Sequence, residues 1–158
     1  MDIKMLHSLV DNIIKIDRGG PESREGRLIA VGGDYIALLT ENEGVVYYRT
    51  HHIKSLTSNT KNDSQFDFQV PEDFRFIQAE DFKGVLESLK YHWVQINRGG
   101  PEKLEGIVDQ VNDNFVTIIA KEEVIRISMF HIRNVSYEVK DRKNKDSNEK
   151  KTEDNTKS

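Results

Sequence analysis

The chain contains no cysteine. Disulfides, thiolate metal sites and a cysteine nucleophile are therefore excluded. It also lacks an apolar run of about 20 residues, the length needed to cross a bilayer as a helix. The first residues, Met1-Asp2-Ile3-Lys4, do not have the basic-then-apolar layout of a secretory signal, so no signal peptide is expected. A strong basic excess is missing too. Net charge is −4, and the isoelectric point lies near 5.8. Phosphate neutralisation supplies most of the affinity of a nucleic-acid binder, so this balance argues against nucleic acid as a partner. Residues 140–158 hold no apolar side chain at all. Such a stretch cannot bury surface to offset chain entropy and is expected to be a disordered polar tail.

What is present is a duplication. Arg18-Gly19-Gly20-Pro21-Glu22 recurs as Arg98-Gly99-Gly100-Pro101-Glu102, each after a short apolar run. The likeness extends outward: Ile16 answers to Ile96, Glu25-Gly26 to Glu105-Gly106, and His52-Ile53 to His131-Ile132. One small unit is written twice. The expected organisation is a first unit at 1–57, a connector at 58–78, a second unit at 79–139 and the tail at 140–158.

Each unit opens on a helical stripe. Met5, Leu6, Leu9 and Val10 form it in the first, with Asp2 placed as the N-cap; Phe82, Val85, Leu86 and Leu89 form it in the second. Period-two alternation then marks a strand ending at Ile16 or Ile96. After the loop come three more strands, at 26–31, 35–40 and 45–49 in the first unit. A tight helical turn at His51-His52-Ile53 leads to a last short strand at 54–57. A short helix and five strands in about 55 residues predict a mainly β chain of two tandem small barrels, SH3-like or Sm-like. Gly26, Gly32 and Gly33 stand where a strongly bent sheet needs them. The order of elements resembles Sm-like barrels in particular. Small units have thin cores, so the two are expected to pack together. Connector residues Phe66, Phe68, Val70, Phe74, Phe76 and Ile77 are expected to cover an apolar surface, and 66–70 to add a strand to an open edge.

The Gly-Gly-Pro-Glu loop is the candidate site. Exposed glycine amides beside Arg18 or Arg98 suit a phosphate or peptide clamp. A phosphate-cradling loop, however, opens a helix and follows a longer glycine pattern with lysine, whereas this loop joins two strands. The favoured reading is a strand connection. Gly19 and Gly20 supply unusual backbone angles, Pro21 fixes the exit, and the arginine pairs with Glu22 or Glu25 across the turn. On that reading Gly20→Val destabilises the first unit. His51 and His52 are adjacent and point apart, which suits turn stabilisation better than metal ligation. No Ser-His-Asp ordering is visible, and no catalytic, metal or cofactor site is expected.

The stretch Ile16-x-Arg18-Gly19-Gly20-Pro21-Glu22, with Gly26, Tyr35-Ile36-Ala37-Leu38, Val45-Val46-Tyr47 and His51-His52-Ile53-Lys54-Ser55, resembles the spore coat protein B family of endospore-forming bacilli. Trp93-Val94-x-Ile96-Asn97-Arg98-Gly99-Gly100-Pro101-Glu102 and Phe130-His131-Ile132 resemble it as well. The resemblance covers residues 5 to 137. It implies a non-enzymatic structural protein, made in the mother cell and deposited on the forespore surface, with other spore coat proteins or further copies of itself as partners. Members can carry a long Ser/Lys-rich, phosphorylatable C-terminal region, whereas residues 140–158 hold only Ser147 and Ser158. The alternative from the barrel layout is an Sm-like nucleic-acid-binding module.

Overall fold

The first helix starts where its cap dictates. Asp2 takes an extended conformation, and its carboxylate accepts the Lys4 amide at 2.9 Å, satisfying one of the donors that a helix start leaves open. The computed structural model describes residues 1–59, 70 and 73–138. Its elements are helix α1 (Ile3–Ser8), strands β1 (Ile13–Ile16), β2 (Arg24–Val31), β3 (Tyr35–Leu39) and β4 (Val45–Arg49), a 3₁₀ turn (Thr50–His52) and β5 (Leu56–Ser58). There follow α2 (Phe82–Ser88), β6 (Trp93–Ile96), β7 (Leu104–Val111), β8 (Phe115–Ala120), β9 (Glu123–Ser128), a second 3₁₀ turn (Met129–His131) and β10 (Asn134–Tyr137). The expected strand at 66–70 and the polar tail lie outside the described residues, apart from Val70.

The ten strands form one antiparallel sheet in the order β5-β1-β2-β3-β4-β10-β6-β7-β8-β9. Within each half the fifth strand lies beside the first, giving the order 5-1-2-3-4 twice. Both halves bend at the same place. The register slips between Leu28 and Ala30 in β2 and between Val108 and Gln110 in β7, a bulge that turns the strand. Just before it, a side chain at Gly26 would meet the Leu39 carbonyl and one at Gly106 the Ile119 carbonyl, so both positions need glycine.

The expectation of two closed barrels is corrected here. Among the described residues no pairing joins the ends of either half, and the sheet stays open. The physical reason is visible at its middle. The β4 edge, which closure would have to engage, pairs instead with β10 across the halves, from Asn134↔Tyr48 to Tyr137↔Val45.

The core follows from that continuity. β3 and β4 are buried on both faces, so they read as near-continuous apolar runs. Ile36, Leu38, Val46 and Tyr48 face inward with Leu6, Ile14, Ile16 and Leu28. Tyr35, Ala37, Leu39, Val45 and Tyr47 face the other way, into a larger cluster shared with α2 and the second half. Phe74, Phe76 and Ile77 of the connector pack against that cluster, covering apolar surface as their composition predicts. Tyr35 donates to the Ala79 carbonyl and Tyr47 to the Ile77 carbonyl, both at 2.6 Å, pinning the connector to β3 and β4. Burial raises the Tyr47 phenol well above its ordinary pKa, and the neighbouring Tyr137 adds to the rise.

Candidate functional site: where the two Arg-Gly-Gly-Pro-Glu loops meet

The two loops lie eighty residues apart in sequence and touch in space. The first joins β1 to β2, the second β6 to β7, and the β4–β10 pairing brings their ends together. Asp17 and Asn97 set the entry to each loop. Both have positive φ, 59° and 52°, a conformation that short polar side chains tolerate better than others. The Asp17 carboxylate accepts the amides of Lys54 and Ser55, and the Asn97 amide oxygen accepts those of Arg133 and Asn134. Each loop is thus tied to the last strand of its own half.

The first loop then reaches across. One Glu22 carboxylate oxygen accepts Arg133 Nε at 2.7 Å, and the other accepts Asn134 Nδ2 at 2.9 Å. Arg133 also donates to the Pro101 carbonyl of the second loop at 2.7 Å. Arg24, just past the first loop, is buried. Its Nη2 donates to the Arg98 carbonyl, its Nη1 to the Tyr48 hydroxyl at 2.9 Å, and its Nε pairs with Glu43 at 2.7 Å. Burial alone would lower the Arg24 pKa, but Tyr48 and Glu43 outweigh it and the net direction is up. Burial is also the main cause that pushes the Tyr48 hydroxyl up to about 12. At ordinary pH this is a fixed cation held by a neutral phenol and a carboxylate.

Backbone contact is equally close. A Cβ on Gly99 would lie 2.3 Å from the Pro21 carbonyl oxygen, and one on Gly100 would meet the Glu22 side chain. The loops are identical in sequence but not in conformation. In the first, Gly20 carries the positive φ of 91°; in the second, Gly99 does, and Glu102 is left-handed as well. The neighbour across the junction shapes the second loop.

These positions correct part of the sequence reading. Among the described residues Arg18 pairs with neither Glu22 nor Glu25; it is exposed, as are Gly19, Gly20 and Pro21. Arg98 approaches Glu43 from the other half at 3.6 Å rather than a glutamate of its own loop. Glu22 serves the junction, whereas Glu102 points to solvent. The expected turn at His51 and His52 is present, and His52 Nε2 lies 3.1 Å from the Phe130 carbonyl of the second half. Nothing local in the sequence marks Arg133 and Asn134, whose partner Glu22 is in the other half, or Arg24, which meets Glu43 nineteen residues on and the Arg98 carbonyl of the other half. Asp17 and Asn97 could have been found, as a short polar residue precedes Arg-Gly-Gly by one position both times. The arrangement is a polar clamp. It holds two sheet segments edge to edge. Among the described residues no helix is long and apolar enough to cross a membrane.

No family model and no solved structure matches the chain. Among curated proteins it is similar to spore coat protein B of Bacillus subtilis (strain 168), with 41% identity over 154 residues. The match covers 91% of this chain and 40% of the relative, so the chain spans about two-fifths of that protein's length. Identity at that level over nearly all of this chain supports the likeness to the spore coat protein B family that the repeated loops suggest.

Proposed function

We propose that the chain is a structural component of the bacterial endospore coat, acting by protein–protein assembly and not by catalysis. The observation that carries this is the 41% identity to spore coat protein B along nearly the whole chain. The site geometry supports it. The repeated loops, where a ligand clamp could have been, spend Glu22, Arg24 and Arg133 on holding sheet segments together. On this reading residues 1–57 and 79–139 are two copies of one bent five-stranded unit of Sm-like order, joined by the connector at 58–78. Their role is to present strand edges and loops to other coat proteins after synthesis in the mother cell. The nucleic-acid alternative finds no support at the junction, where the buried arginine is already neutralised by Glu43.

A fluorescent fusion followed through sporulation tests the proposal. Signal collecting as a shell around the forespore is the expected result. Diffuse signal, or signal in vegetative cells, overturns it.

A further inference from the structure

Among the described residues one strand pairing joins the halves, and the two strands that make it each have a counterpart with an open outer edge. β4 pairs with β10. The counterpart of β4 in the second half is β9: Phe115↔Ser128 to Ile119↔Val124 repeats Tyr35↔Arg49 to Leu39↔Val45. The counterpart of β10 in the first half is β5, since Ile16↔Leu56 repeats Ile96↔Val135. β9 and β5 are the two ends of the sheet. The molecule therefore carries both partners of its own internal joint, one at each end.

We propose that a second copy of this chain docks by placing its β5 against β9 of the first, reproducing the internal joint head to tail. The transferred register is Ser55↔Ile127, Leu56↔Arg126, Thr57↔Ile125 and Ser58↔Val124. Backbone direction permits it. The Met129 amide donates to Asn114 on the β8 side, so by alternation the amides of Ser128, Arg126 and Val124 face the open edge. On the other strand Asp17 takes the Ser55 carbonyl, leaving Lys54, Leu56 and Ser58 facing out. At the internal joint the Arg49 amide donates to the Arg133 carbonyl at 3.0 Å; in the copy, Ser128 donates to Lys54.

The clamp is also kept in charge. Glu22 holds Arg133 and Asn134 inside the molecule; the counterparts are Glu102, exposed and unengaged among the described residues, and Lys54 with Ser55. Exposure agrees. Val45 is 0% exposed beneath Tyr137, while Val124, its counterpart on the open edge, is 54% exposed. β9 is six residues long and carries no proline, so little blocks it from accepting a strand. A joint of this kind does not consume its own ends, so copies add in succession, as a ring or a filament. This deepens the assembly reading by naming one partner, but it is measured on purified protein and stands or falls apart from localisation.

The test is sedimentation equilibrium of the 158-residue chain over a range of concentrations. Mass rising from 18.3 kDa beyond that of a dimer is expected, whether it levels off as a ring or keeps growing. Arg126→Pro and Ser58→Pro each remove an outward amide from an open edge, leave the inner ladder intact, and should each hold the chain at monomer mass. Glu102→Lys and Lys54→Glu should each raise the association midpoint by about fivefold, the upper worth of an exposed ion pair, and the double reversal should restore it. A monomer at every concentration overturns the proposal. So does a dimer that stops growing and ignores Ser58→Pro, which would be β9 pairing with itself, and so does a double reversal that fails to restore association.

Discussion

At the scale of the residue, identical letters do different work. Glu22 and Glu102 close the same pentapeptide, yet one bridges Arg133 and Asn134 and the other faces water. Glu22→Ala leaves a partly buried guanidinium and a buried amide without their acceptor, and should lower unfolding free energy by about 2 kcal/mol. Glu102→Ala in dilute protein should change it by less than about 0.5 kcal/mol. Urea denaturation of the two variants side by side reads the difference. The glycines divide in a similar way. Gly20 has open space around it but a φ of 91°, so Gly20→Val costs backbone strain of about 1–2 kcal/mol. Gly99→Ala adds to the same strain a collision with the Pro21 backbone oxygen, and should cost more than Gly20→Val despite the smaller side chain. Melting temperatures in the reverse order would show that the loops do not press on each other.

At the scale of the element, the 3₁₀ turn at Thr50–His52 reports the joint through pH. Burial holds both imidazoles below the ordinary histidine range; Arg49 adds to this at His51 and the His51 charge adds to it at His52. A depressed pKa in the fold means that the fold prefers the neutral ring. The stabilisation is present above about pH 6.5, the unfolded value, and is lost as pH falls through the folded values. Thermal stability should therefore drop on acidification below about pH 6.5, and His52→Gln should flatten that part of the profile. Unchanged slope in the variant would place the titration elsewhere. Elements of this size were legible in the sequence because their signals are local. Asp2 before a helical stripe, Ile14 and Ile16 in alternation, and aromatic β-branched runs at 45–48 each announce themselves within a few residues. The last strand of the first half, expected at 54–57, lies at Leu56–Ser58, because strand ends carry no such signal.

At the scale of the whole molecule, the two halves share one sheet and one of the two apolar clusters, so neither can leave alone. Far-UV circular dichroism and tyrosine fluorescence should lose their folded signals in one coincident denaturant transition. A chain ending at residue 58 should not fold stably, since it uncovers Tyr35, Tyr47 and the β4 edge together. Two separate transitions would mean that the joint contributes little. Topology is what the sequence could not convey. Alternation says that Val45 to Tyr48 is a strand and is silent on which strand lies beside it, so the run of short strands in each half predicts closure within that half, whereas β4 pairs with β10 of the other. β10, the last strand among the described residues, sits in the middle of the sheet, and this sets a clock. β4 is complete roughly ninety residues before its neighbour exists. At the usual synthesis rate of about 5–20 residues per second the nascent first half waits on the order of 4 to 18 s for its partner. Until then its edge is open to a β10 that a neighbouring chain has just completed and not yet paired, so close spacing of ribosomes on the message should favour exchange of strands between chains.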